Sequence, residues 1–109
     1  MSNTYQIYLI SDSTGETLDR VFLAIKAQFT NIEYDVKSYF FTRTENQVTK
    51  IMEEAKGKDN SIILYTIVDT SLAQFLANKG EERKIPCFSV LGNLIINFSK
   101  LLNQKASHV

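Results

Sequence analysis

Apolar positions change their spacing repeatedly along the chain, and each change marks a new element. Tyr5–Ile10 is a short apolar run that ends at Ser11-Asp12-Ser13-Thr14-Gly15, which predicts a strand followed by a turn. Leu18, Val21, Phe22, Ile25 and Phe29 then recur as one face of a helix, with Asp19, Arg20 and Lys26 opposite them. Tyr34–Phe41 sets Asp35 and Lys37 against Val36, the half-buried alternation of an edge strand. Thr44 stands three residues before Gln47, a capping box ahead of a helix whose apolar face is Val48, Ile51, Met52 and Ala55 and whose C-cap is Gly57. Ser61–Val68 is nearly continuous in apolar character, as in a central strand buried on both faces. Asp69 or Thr70 caps the third helix, with Leu72, Phe75 and Leu76 inward and a stop expected at Gly80. Pro86 opens a short strand, Cys87–Leu91, and the last helix carries Leu94, Ile95, Phe98, Leu101 and Leu102.

Strands alternating with helices imply an α/β fold: a three-layer, Rossmann-like arrangement with a four-stranded parallel sheet and helices on both faces. The first and third strands are the most continuously apolar and belong in the centre, which gives the strand order 2-1-3-4. In such sheets ligands bind beyond the carboxyl ends of the strands, where strand order reverses. Here that is between the first and third strands, flanked by Ser11–Thr17 and Asp69–Ser71.

Composition narrows the classes of function. The 109 residues suit one domain, expected over 1–104 with a polar tail at 105–109. Twelve basic and twelve acidic residues leave no net charge, which argues against binding nucleic acid through its phosphates. Cys87 is the single cysteine, so no internal disulfide and no cysteine metal cluster is expected. Met1–Gln6 has no basic region leading into an apolar run, and no apolar stretch approaches the roughly 20 residues that span a bilayer. A cytoplasmic protein that does not enter membranes is the expectation.

Candidate chemistry gathers at the switch point. Ser11, Asp12, Ser13, Thr14, Gly15 and Thr17 combine hydroxyls with backbone N–H groups at a helix start, where the dipole favours an anion such as phosphate. A purely structural reading competes, because Ser13 with Glu16 three residues on also spells a capping box. The stretch is not a Walker loop; the required glycine–lysine pattern occurs nowhere in the chain. Arg43 follows the second strand and offers a guanidinium to the same edge, against the simpler reading of a solvated side chain. Asp69 ends the third strand and reads first as an N-cap. Cys87 reads as a buried, inert thiol, and His108, the one histidine, has no evident partner for a catalytic triad. No metal site and no catalytic residue is assigned.

These same residues carry a resemblance. Leu9–Leu18 with its Ser-Asp-Ser-Thr-Gly-Glu-Thr core, then Gln28-Phe29, Arg43-Thr44, Leu64–Asp69, Ile85-Pro86-Cys87 and Leu91-Gly92, resembles the N-terminal domain of the pyruvate, phosphate dikinase / phosphoenolpyruvate synthase regulatory proteins. The resemblance implies an ADP-dependent serine/threonine kinase that is also a phosphate-dependent pyrophosphorylase releasing pyrophosphate. Its protein partner would be pyruvate, phosphate dikinase or phosphoenolpyruvate synthase. Members of that family run much longer and carry a nucleotide-binding P-loop in their C-terminal portion. That kinase domain is expected to be absent here and the chain alone inactive. Two other readings stand beside this one. One is a non-catalytic phosphate-binding, protein-docking or dimerisation module, in which the chain forms a homodimer. The other is a phosphoacceptor receiver, disfavoured because Asp12 stands alone after the first strand.

Overall fold

Eight elements alternate along the chain: β1 (Thr4–Ser11), α1 (Glu16–Gln28), β2 (Glu33–Tyr39), α2 (Glu45–Lys56), β3 (Ser61–Thr66), α3 (Thr70–Arg83), β4 (Cys87–Ser89) and α4 (Gly92–Leu102). They are seen in a computed structural model that describes residues 4–106, so His108 and most of the polar tail lie outside the described residues. The strands form one parallel sheet in the order β2-β1-β3-β4, as the apolar runs imply.

The central strands feed two cores because successive side chains leave a strand on opposite faces. Tyr8 and Ile10 of β1, with Ile63 and Tyr65 of β3, pack under Val48, Ile51 and Met52 of α2 and Leu72 and Leu76 of α3. On the other face Ile7, Leu9 and Leu64 pack with Leu18 and Phe22 of α1, and Tyr5, Tyr34, Ile62 and Val90 are partly buried against them. The α1 stripe is accordingly half used: Ile25 and Phe29, expected inside, are exposed. The capping box of α2 forms as read, with Thr44 accepting from the Gln47 N–H and Gln47 reaching back to Thr44.

Several boundaries differ from the sequence reading. β3, expected to run to Val68, ends at Thr66, where the Val68 N–H turns to Asp12 Oδ2. β2 ends at Tyr39, two residues before the expected Phe41, because Phe41 adopts a left-handed turn (φ 54°) that folds the chain over the end of β1. β4 keeps only three of its five expected residues, although the Val90 N–H still donates to the Tyr65 carbonyl at 3.0 Å. Gly80 does not stop α3, which runs on to Arg83 and closes at left-handed Lys84. The Ile85 N–H then donates back to the Gly80 carbonyl at 2.8 Å, a Schellman-type closure. Gly80 is small for another purpose. A Cβ there would overlap the Cys87 sulfur of β4, so the glycine lets helix and strand approach.

At the β2 edge, Glu54 of α2 accepts from the Tyr39 hydroxyl at 2.8 Å and from Lys37 Nζ at 3.0 Å. These bonds, Tyr39 first, hold the Glu54 carboxyl below the usual carboxylate range. Burial, and secondarily the same bond, pushes the Tyr39 phenol up to about 12. The lowered carboxyl stabilises the fold above its unfolded pKa, and that contribution disappears as pH falls through its folded value. The raised phenol acts at the other end. Its contribution is complete below about 10 and is lost as pH rises through about 12. Tyr39→Phe is therefore expected to flatten both limbs of a urea-derived stability–pH profile. Superimposable limbs for the two proteins would contradict the assignment.

Candidate functional site

The carboxyl ends of β1, β2 and β3 are stitched together by hydrogen bonds that run between loops rather than along strands. The Thr42 N–H donates to the Ser11 carbonyl at 2.9 Å and the Phe41 N–H to the Ser13 carbonyl at 3.0 Å, which lays the β2–α2 loop along the β1–α1 loop. From the other side, the Val68 N–H donates to Asp12 Oδ2 at 2.8 Å, drawing in the end of β3. A carboxylate accepting a backbone N–H makes a charge-assisted bond, stronger than a neutral one.

Within this frame the start of α1 is left without a side-chain cap. Its N-cap position is Gly15, in the left-handed region at φ 80°, and no side chain accepts from the first turn. The Ser13–Glu16 capping box therefore does not form. The Ser13 N–H instead donates to Ser11 Oγ at 3.0 Å, and its carbonyl is taken by Phe41, which holds Ser13 away from the capping position. Ser11 is buried, Ser13 half-buried, and Thr14 and Thr17 are exposed. The chain forgoes roughly 1 kcal/mol of capping here, and among the described residues no side chain caps the first turn.

Arg43 joins the loop directly. Its Nε donates to the Asp12 carbonyl at 3.0 Å, and its guanidinium lies 5.3 Å from the centre of the Phe41 ring. A stacked, bonded guanidinium is pre-organised, so less side-chain entropy is lost when it meets a phosphate or carboxylate. Phe40 covers Gly15 closely enough that any Cβ at that position would fall within the ring.

The site residues named from the sequence thus come together, but with divided roles. Ser11 ends β1 and is buried, Ser13, Thr14 and the buried N-cap Gly15 form the loop into α1, Thr17 lies in its first turn, and Arg43 is bonded to the same loop. Asp12 is a strut between loops. Asp69 is the N-cap of α3, accepting from the Leu72 N–H at 3.0 Å. Phe40, Phe41 and Thr42 were not singled out, since by pattern the first two belong to an edge strand and Thr42 directly follows it. The one local hint was that the run Phe40-Phe41 breaks the alternation of that strand.

A second concavity lies to one side. A cleft of about 480 Å³ between β3, β4, α3 and α4 is bordered by Tyr65, Thr70, Gln74, Ser89 and Asn93, and no charged side chain lines it. Cys87 borders it as well. Its thiol donates to the Ile85 carbonyl at 3.3 Å, and burial pushes its pKa up to about 11, so the thiolate a nucleophile requires is scarce at neutral pH. Among the described residues, no cluster of three histidine, cysteine or carboxylate side chains could hold a metal ion, and no helix is long and apolar enough to cross a membrane.

Comparison with known proteins supplies a family. The profile of the kinase/pyrophosphorylase family matches residues 7–109. A Pelagibacter ubique protein named as a pyruvate, phosphate dikinase regulatory protein is 90% identical over 109 residues, covering 100% of this chain and 40% of its own length. Proteins with the same name from Geotalea uraniireducens and Sinorhizobium medicae are 35% and 39% identical, over 89% and 92% of this chain and 36% of their own length each. The chain spans about two fifths of the length of the relatives it matches.

Proposed function

The chain belongs to the kinase/pyrophosphorylase family, and from that premise we propose that it acts as the N-terminal part of a bifunctional regulator of pyruvate, phosphate dikinase. In one direction such a regulator phosphorylates a threonine of its target with ADP as donor. In the other it removes that phosphate by phosphorolysis, releasing pyrophosphate. The names of the relatives favour the dikinase over phosphoenolpyruvate synthase as the target.

On this reading the chain contributes an oxyanion-binding surface rather than the transfer machinery. Phosphoryl transfer uses a phosphate cradle and metal ions, and the chain has no Walker pattern. The observation that supports the surface is the uncapped first turn of α1, set at the switch point of the sheet and flanked by a guanidinium held at 3.0 Å from the same loop. Ser13 and Thr14 supply hydroxyl donors and Arg43 supplies charge beside a helix start whose dipole favours an anion. Inorganic phosphate, pyrophosphate, the phosphates of ADP, or a phosphothreonine on the target all present the required group.

Calorimetric titration with phosphate, pyrophosphate and ADP tests this directly. Saturable binding is expected, weakened at least about tenfold in Ser13→Ala/Thr14→Ala and to a similar extent in Arg43→Ala, consistent with charge-assisted bonds worth about 1.5–3 kcal/mol each. A folded chain that binds none of the three while capturing the dikinase would instead favour a protein-docking module.

A further inference from the structure

Helix α4 has the sequence pattern of a core helix and the surroundings of a surface one. Leu94, Phe98, Leu101 and Leu102 recur at the spacing of one helix face, as Val48, Ile51, Met52 and Ala55 do on α2. The α2 set is at most 4% exposed, whereas the α4 set is 57%, 57%, 82% and 64% exposed, and α4 buries no residue at all. Leu94, Phe98 and Leu102 line a groove of about 410 Å³ closed at one end by Gln104–Ala106. Phe88 of the edge strand β4 adds a further apolar ring, 55% exposed. Large exposed apolar side chains grouped on one helix face mark an interaction site.

We infer that this face packs against the body of polypeptide that the longer relatives carry outside the stretch matched here; the inference rests on the family reading above. Three observations select that occupant. About three fifths of the Pelagibacter ubique relative lies outside the aligned stretch, enough for a further folded body. The surface is sparsely and one-sidedly charged: Lys100 is the only charged residue of α4, and no acidic residue follows Glu82. A second copy docked face to face would bring the same Lys105, which borders the groove, and no acidic residue of α4 or of the segment after it to complement it. A membrane-surface helix, for its part, carries a polar face rich in lysine and arginine, and α4 has one lysine. An apolar face rimmed with carboxylates on another part of the same polypeptide meets both requirements.

The test pairs this chain with the full-length relative. Phe98→Glu/Leu101→Glu alters exposed positions, so the 109-residue chain is expected to keep its melting temperature to within about 2 °C. The equivalent substitutions in the full-length relative are expected to lower its melting temperature by at least about 5 °C, because there they place two carboxylates in a packed interface. An unchanged melting temperature in the relative overturns the inference. A dimer of this chain in sedimentation equilibrium that the substitutions dissociate overturns it in favour of a second copy. Loss of flotation with phosphatidylglycerol vesicles, with the relative's melting temperature unchanged, overturns it in favour of a membrane. Because none of these measurements uses anion binding, failure here leaves the titration above to judge the functional reading separately.

Discussion

Gly15→Ala is expected to destabilise the chain by about 2–4 kcal/mol and to abolish anion binding at the first turn of α1. Two terms add. A left-handed backbone at φ 80° costs a residue with a Cβ about 1–2 kcal/mol more than glycine. The new methyl would also overlap the Phe40 ring. Overpacking of that kind costs about 1–3 kcal/mol, toward the lower end here because Phe40 is 40% exposed and its ring has room to swing outward. The functional consequence follows from connectivity. Gly15 separates the loop fixed by Phe41, Thr42 and Val68 from the first helical turn, so relieving its strain means rotating the donors away from Arg43. Urea denaturation reads the first effect and phosphate titration the second. A variant that melts like the parent and binds as tightly would show that neither the turn nor the Phe40 lid matters.

The second large effect is at Gly80. Substitution by valine is expected to cost about 2–3 kcal/mol, even though a helix interior ordinarily tolerates valine slightly better than glycine. The added Cβ would meet the Cys87 sulfur and come within 3.1 Å of the Ile85 carbonyl. That carbonyl cannot retreat easily, because the Ile85 N–H is tied to the Gly80 carbonyl in the closure of α3. The cause is separable from any general glycine effect. Gly80→Ala should be destabilising in the parent and closer to neutral in a Cys87→Ala background, where the sulfur is gone. A double-mutant cycle of urea midpoints measures that coupling, expected at about 1 kcal/mol. Strict additivity would mean that the close approach of α3 and β4 is not what requires the glycine.

The two capping boxes show how far local pattern reaches. Thr44 and Gln47 form theirs because the bonds to the β1–α1 loop are made by Phe41 and Thr42, which leaves the Thr44 side chain to accept from the Gln47 N–H. Ser13 and Glu16 have the same spacing and form none, because Ser11, Phe41 and Val68 have already committed the backbone and side chains of residues 11–13. A capping box is a contact within four residues, and bonds from strands far away in sequence override it. The same override explains Phe41. By alternation it belongs to a strand, yet its N–H is worth more bonded to Ser13 than continued along the edge.

The set of elements and their order in the sheet were legible in the amino-acid pattern. Both follow from quantities local to each segment: the period of apolar residues identifies strands and helices, and continuous burial distinguishes Tyr5–Ile10 and Ser61–Val68 as central from the alternating edge strand. From that order the position of the candidate site follows as topology. How the candidate residues are arranged came from the tertiary structure. Asp12 turned to Val68 and Arg43 came to the loop of β1 from 31 positions away, whereas Asp69 caps α3 as its local position implied. The tertiary structure also decided which apolar stripes are covered, leaving α4 bare where α2 is sealed. Local periodicity states that a face is apolar; only the assembled chain supplies, or fails to supply, the surface that removes it from water.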